Sequence, residues 1–386
     1  MTAKLPVWAA QYPSLAMKQW AEGQISKTMN LRDYQKNAVE WAKTSDGLII
    51  APAGSGKTWI AASIIKHYHQ LHPDWSFGWT APTVETCQQG RVSLHVAGIP
   101  DGIVDVRCPH ESVDFSKKQL LIVDEAKRSA AKVLRGIIES CKGFRYGFDA
   151  TPWGDDEDRN AVTRTLFRNR TYEIKRIDIG DSLADAYLHL SDATDLNLKQ
   201  KIDDNIDRLF VTRRRYMRIS DDELKRMCAW ESLVDIGICQ NRDRNAYAVD
   251  YALEHLDMQT LILIPRITLG EEYEAAIPRS LLVHSKIGKK QRKAAMEEFK
   301  AGNLRTMIAT SLADEGLDLP NVELLIMVSG GRSSQKTIQR ASRALRKTDS
   351  KNCATILDFS DRFHPIGAYH AKKRMECYRQ LGCVFQ

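Results

Sequence analysis

At 386 residues the chain is longer than one ordinary domain of about 100–200 residues, which points to two or three domains. With 43% hydrophobic and 27% charged residues it is globular in composition; no apolar run nears the ~18 residues of a membrane span, and the N-terminus lacks the basic, apolar and cleavage-site order of a signal peptide, so a cytoplasmic protein without a membrane partner is expected. Eight cysteines without a C-x-x-C pair or histidines at zinc spacing exclude a zinc or disulfide framework, and a net charge of +7 suits a polyanionic partner without establishing one.

The first predicted strand, residues 48–51, runs into APAGSGKT at 51–58 and then into the helix-like stretch 59–69. A strand delivering a small-residue loop into a helix start is the build of a phosphate-binding loop. Ala53, Gly54, Ser55 and Gly56 let backbone N–H groups turn inward around phosphate oxygens, Lys57 reaches the β/γ oxygens, and Thr58 offers its hydroxyl to Mg²⁺. The expected substrate is a nucleoside triphosphate, although Ala51 stands where the usual pattern begins with glycine.

Strands are expected next at 77–81, Leu120–Asp124 and 145–150. The third candidate strand ends in Asp124 and Glu125, placing two carboxylates at the edge of a sheet where open α/β folds bind ligands. Asp124 is the expected Mg²⁺ holder, through a water, and Glu125 the group that polarises the water attacking the γ-phosphate. Alternation fades between about 181 and 243, where helix-like pieces at 198–210 and 221–230 read as a small, mostly helical insertion. Arg213, Arg214, Arg215 and Arg218 with Tyr216 form a basic-aromatic cluster there, suited to nucleic acid through Arg213 and Arg215, although a solvated helix face reads equally well.

Alternation resumes with strands at 260–264, 280–284, 305–310, 322–328 and 354–359, and with a basic, amphipathic helix at 289–300. Residues 339–346 read QRASRALR, which puts Arg343 and Arg346 on one helical face behind Gln339. Two guanidiniums aimed at one anion can neutralise charge on a γ-phosphate in the transition state.

Together these motifs resemble those of the superfamily 2 helicases and translocases, over about residues 31–178 and 251–361. LRDYQ at 31–35 is similar to the adenine-recognition motif, which implies that Gln35 reads the adenine edge and Arg32 supports it. APAGSGKT is similar to motif I, APT at 81–83 to motif Ia, VDEAK at 123–127 to motif II, and FDATP at 148–152 to motif III. ATSLADEGLDLP at 309–320 resembles motif V and QRASRALR motif VI. The resemblance implies phosphate contacts from Thr83 and Thr310, a ribose contact from Asp318, and an open turn at Gly316. The forms of motifs V and VI resemble the branch holding XPB-like, type I restriction and phage branch-migration enzymes.

The fold this implies is α/β, two tandem RecA-like parallel-sheet lobes at 1–178 and 251–386 with the helical insertion at 179–250. The implied activity is an ATP- and Mg²⁺-dependent DNA helicase or translocase, working as a monomer in the cytoplasm, or in the host cytoplasm if phage-encoded. An RNA helicase and a non-translocating ATP-gated clamp or adaptor stand as the alternatives. One residue departs from the family: Lys127 occupies the fourth position of motif II, usually His or Asp, with Gln339 or Asp149 as its expected partners.

Overall fold

In the computed structural model the described residues are 30–52, 54–109, 113–154, 156–179, 184–284, 286–310, 321–331, 333, 337, 340–341, 351 and 353–386. The chain divides into two compact units, Met1–Gly180 and Asp181–Gln386, each built on one parallel sheet.

The first unit contains strands β1 (Gly47–Ile50), β2 (Phe77–Thr80), β3 (Val104–Arg107), β4 (Leu120–Asp124), β5 (Phe144–Asp149) and β6 (Thr171–Glu173), in the order β3-β2-β4-β5-β1-β6. Leu48, Ile49 and Leu120 to Val123 are fully buried, as expected of strands covered on both faces, which read as continuous apolar runs rather than alternating ones. Among the described residues, helices α1 (Asp33–Thr44), α2 (Lys57–Leu71), α3 (Val84–Val96), α4 (Lys132–Ser140), α5 (Glu157–Leu166) and the single turn α6 (Arg176–Ile179) make up the rest of its regular structure, with a short 3₁₀ turn at Ala126–Ala130. The four strands expected from the sequence are present within a residue or two. β3 and β6, only half-buried and three or four residues long, carry too little apolar signal to be read in advance.

The order places β4, β5 and β1 side by side, with Asp124 opposite Phe148 and Ile50 opposite Asp149. Parallel strands in register end together, so the loops after Ile50, Asp124 and Asp149 emerge at one edge of the sheet.

In the second unit β7 (Asp185–Ser191), β8 (Thr260–Leu263), β9 (Ser280–Val283), β10 (Thr306–Ala309), β11 (Leu324–Met327), β12 (Cys353–Phe359) and β13 (Val384–Phe385) run in the order β13-β7-β12-β11-β8-β10-β9. The central strands alternate between two cores. Leu261, Leu263, Met307, Leu325 and Met327 face one, while Ile262, Ile308, Leu324 and Ile326 face the other, the period of two that a pleated strand imposes.

The segment expected as a separate helical insertion at 179–250 is built into this second unit. Its β7 pairs with β12 over seven residues, which the tyrosine and histidine in DAYLHLS disguise in the sequence. Helices α7 (Leu198–Arg214), α8 (Asp221–Ser232) and α9 (Arg242–Glu254), with the π-turn Leu233–Cys239, follow it. Leu198, Ile202, Leu233, Val234 and Ala248 pack into the same core as Ile262 and Ile326, so these helices cover one sheet face. Helices α10 (Ile267–Ala276), α11 (Lys289–Lys300) and α12 (Pro365–Gln380) complete the regular structure among the unit's described residues.

Arg374 on α12 is fully buried. Its guanidinium donates to Asp358 Oδ2 at 2.9 Å, Asp361 Oδ2 at 2.8 Å and the Gly331 carbonyl at 2.8 Å. Burial opposes its charge, but the Asp358 and Asp361 carboxylates outweigh that and raise its pKa. Arg244 adds a second guanidinium on Asp361 at 3.0 Å and lies 4.0 Å over the Phe359 ring. Six of the eight cysteines are buried. No helix among the described residues is long and apolar enough to cross a membrane.

Candidate active site

The phosphate loop is shaped by two glycines in left-handed backbone, Gly54 at φ 84° and Gly56 at φ 75°. Gly56 is required twice over, because a Cβ there would lie 2.5 Å from Gln35 Nε2. Lys57 opens α2 and turns its ammonium back onto the loop, donating to the Ala51 carbonyl at 3.2 Å. Thr58 follows in the first turn, half-buried. The Ala51 amide donates to the Asp149 carbonyl at 2.8 Å, which ties the loop's entry to the end of β5. A backbone curled around small residues at the start of a 15-residue helix presents N–H groups and the positive end of the helix dipole to an anion.

Behind this loop stands the start of α1. Gln35 is buried, 7% exposed; its Nε2 donates to the Ser55 carbonyl at 2.8 Å and its Oε1 accepts from the Arg32 amide at 2.9 Å. Tyr34 donates to the same Ser55 carbonyl at 3.2 Å, and Arg32 donates to the Tyr34 hydroxyl at 3.3 Å. Gln35, expected to read the adenine edge, here uses its amide nitrogen to brace the phosphate loop and its amide oxygen to cap the start of α1. Tyr34 joins it on the loop, a role the resemblance did not suggest.

Across from the loop, β4 ends in Asp124. Burial first, and then the charge of Glu125, push its carboxyl up to about 6 from 3.8, with Lys57 pulling the other way. Lys57 offsets this only in part, and a divalent ion held by Asp124 and Thr58 would supply further positive charge, so the donor set fits Mg²⁺. The adjacent Glu125 has left-handed backbone, φ 55°, which breaks the strand and starts the 3₁₀ turn. Lys127 Nζ lies 3.3 Å from Glu125 Oε2.

Asp149 joins motifs II and III. One carboxylate oxygen accepts from the Lys127 amide at 2.9 Å and the other from the Thr151 amide at 2.8 Å. Burial and the Glu125 charge raise its pKa, while Lys127 opposes them. Of Lys127's two expected partners, Asp149 receives its backbone amide, and the side chain goes to Glu125. Gln339 lies outside the described residues.

The expected nucleic-acid contacts fare differently. Thr83 N-caps α3, its Oγ1 accepting from the Thr86 amide at 3.2 Å, so its hydroxyl serves the helix start. Thr310 follows β10 in the second unit, its amide donating to the Val283 carbonyl at 3.3 Å. Arg213 donates to Glu231 at 2.7 Å, pairing α7 with α8. Arg215 and Tyr216 are exposed at the turn between those helices, Tyr216 66%. Ala53, Gly316, Asp318, Arg343 and Arg346, like Gln339, lie outside the described residues.

Comparison with known proteins agrees with this geometry. Residues 28–95 match the family model "Type III restriction enzyme, res subunit", and residues 245–348 match the "Helicase conserved C-terminal domain". The chain is 24% identical over 372 residues to "Putative helicase 22" of Sulfolobus islandicus filamentous virus, covering 86% of this chain and 64% of the relative. It is 23% identical to "DNA 3'-5' translocase XPB2" of Sulfurisphaera tokodaii, covering 85% and 81% of the two chains, and 24% identical to "Putative DNA 3'-5' helicase Rad25" of Halobacterium salinarum, covering 89% and 57%. The chain thus spans less than two thirds of the viral and haloarchaeal relatives. Among solved structures it is similar in fold to the Pyrococcus furiosus Hef helicase domain, with TM-score 0.53 and 13% identity over 85% of this chain and 95% of that one. It is also similar to Saccharomyces cerevisiae Dbp5 bound to RNA and ADP BeF3, with TM-score 0.54 and 13% identity over 93% and 94%. With the phosphate loop, the Asp124–Glu125 pair and the second parallel-sheet unit in the expected order, the chain carries segments matching the two helicase family models and is similar to XPB-like DNA helicases, as expected of a superfamily 2 helicase of the XPB-like and type III restriction-like branch.

Proposed function

We propose that this protein is an ATP-dependent DNA helicase or translocase. The observation that carries the reading is the meeting, at one sheet edge, of the phosphate loop with Asp124 and Glu125. Lys57 is near enough to lower the Asp124 pKa, and Glu125 is the next residue along.

In this reading the loop amides of residues 54–56 and the Lys57 ammonium take the triphosphate. Lys57 exchanges its hydrogen bond to the Ala51 carbonyl for phosphate oxygens. Thr58 and Asp124 hold Mg²⁺, which when bound neutralises charge on the β- and γ-phosphates. Glu125 orients and polarises the attacking water. Gln339, Arg343 and Arg346 keep the role their helical spacing gives them, stabilising charge on the departing γ-phosphate. Asp149 links the Glu125 turn to Thr151, so movement in the 149–151 loop reaches the hydrolytic carboxylate through two hydrogen bonds and the Lys127–Glu125 ion pair.

DNA is favoured as the track by the relatives, whose printed names are mainly those of DNA enzymes. Binding through Thr83, Thr310 and Arg215 would follow phosphates, and so would be salt-sensitive and indifferent to sequence. The test is ATP hydrolysis by the full chain with single-stranded, duplex, forked and four-way DNA and with matched RNA. DNA stimulation that is lost in Lys57→Ala is expected, and stronger stimulation by RNA would replace the DNA reading with the RNA one. Fork-unwinding and triplex-displacement assays separate a motor from an ATP-gated clamp, because a clamp displaces neither strand.

A further inference from the structure

Lys127 places a cation on the one carboxylate that the hydrolytic step needs uncommitted. Its Nζ is 3.3 Å from Glu125 Oε2, and the two side chains are only 12% and 32% exposed, so water screens the pair little. Glu125 has left-handed backbone at φ 55°, a strained conformation for a non-glycine residue, which such sites retain only where the surroundings enforce it. Lys127 is not anchored through its side chain alone. Its amide donates to Asp149 Oδ2 at 2.9 Å, while Asp149 Oδ1 holds the Thr151 amide at 2.8 Å. The grip on Glu125 is therefore fixed to the loop after β5 by hydrogen bonds short enough to transmit a displacement.

The charges divide into two groups. Lys57 acts on Asp124, whereas Lys127 acts on Glu125 and Asp149. Removing Lys127 thus leaves the phosphate-binding half of the site its own cation.

We propose that Lys127 is a latch on Glu125: its ammonium holds the water-polarising carboxylate in an ion pair, and a shift of the 149–151 loop, transmitted through Asp149, frees it. The proposal rests on Glu125 being the carboxylate that polarises water. While the pair is closed, the Oε2 oxygen is directed at an ammonium, and the ATP-bound protein turns over slowly. Lys127 is here a positioning residue, acting through Glu125.

The experiment uses the full chain with Lys127→Met, which keeps most of the stem and removes the charge, with Lys127→Arg as the conservative variant and Glu125→Gln as the control. kcat and KM for ATP are measured without nucleic acid and with saturating DNA, alongside thermal melting and equilibrium titration with a fluorescent ADP analogue. A charge-assisted hydrogen bond sets the scale at about tenfold. Lys127→Met should raise the unstimulated kcat by that factor, leave KM and ADP affinity unchanged, and reduce the DNA stimulation ratio correspondingly. Lys127→Arg should keep the low unstimulated rate. If the methionine variant melts below the assay temperature, Lys127→Gln carries the same comparison. An unstimulated kcat that falls or stays constant in a folded variant with intact ADP affinity overturns the latch. The underlying reading fails separately, by Glu125→Gln retaining turnover.

Discussion

Replacing Gln35 by alanine tests whether this side chain reads adenine or braces the phosphate loop. Its amide nitrogen bonds the Ser55 carbonyl at 2.8 Å and its oxygen accepts from the Arg32 amide at 2.9 Å. The side chain is 7% exposed. Each hydrogen bond contributes about 1 kcal/mol, so losing both costs about 2 kcal/mol, or up to roughly thirtyfold in nucleotide Kd if the loop bears all of it. Ser55 keeps Tyr34 as a second donor at 3.2 Å, which limits the damage and should leave the first unit folded. Because the loop holds phosphates and not the base, affinities for ATP and GTP should fall by the same factor. Titration of wild type and Gln35→Ala with fluorescent ATP and GTP analogues, with a melting curve as control, makes the comparison. Weakened ATP binding with unchanged GTP binding would refute the bracing role and restore adenine recognition.

The Asp124 carboxyl, raised to about 6, is partly protonated near pH 6 in the free protein. Binding of Mg²⁺·ADP at that pH should release about half a proton, none at pH 8, and none in Asp124→Asn; calorimetry in two buffers of different ionisation enthalpy measures this. The stability sign follows from the same shift. The folded-state pKa lies above the unfolded value, so the native state binds the proton more tightly and ionising Asp124 costs stability as pH rises from about 4 through 6. Asp124→Asn should therefore melt higher than wild type at pH 7 without nucleotide, with the difference vanishing below about pH 4. Arg374→Met leaves Asp358 and Asp361 buried beside fewer donors and should destabilise the second unit by about 3–5 kcal/mol in denaturant unfolding; a loss below about 1 kcal/mol would mean the network contributes little. At the turn between α7 and α8, Arg215→Glu should weaken DNA binding and reduce its salt dependence, whereas Arg213→Gln, which breaks the pair with Glu231, should act chiefly on stability; equal loss of DNA affinity in both would show that Arg213 also contacts the strand.

Much of the site is legible because its chemistry depends on residues adjacent in sequence. APAGSGKT needs a strand before it and a helix after it, and both are signalled by apolar residues next to the motif. The same holds for Asp124 and Glu125 at the end of a four-residue apolar run. Partners chosen in three dimensions are less visible. Gln35 and Ser55 are twenty residues apart, and nothing local indicates that the amide turns to the loop instead of a base. Lys127 could be recognised as unusual, but whether its side chain reaches Glu125 or Asp149 depends on the left-handed turn at Glu125. β7 is hidden by its aromatic and histidine residues, because it lies beside β13 in a sheet whose inner strands carry the apolar signal. Arg374 is concealed by its neighbours Lys372 and Lys373, since one basic cluster on a helix gives no sign of which member turns inward.

The most direct test of the account is the rate of ATP hydrolysis by the purified full chain with and without DNA, at two salt concentrations and beside Lys57→Ala. DNA should raise the wild-type rate, less so at higher salt, and the variant should be inactive under every condition. A wild-type rate that no nucleic acid changes, or an active Lys57→Ala protein, would contradict it.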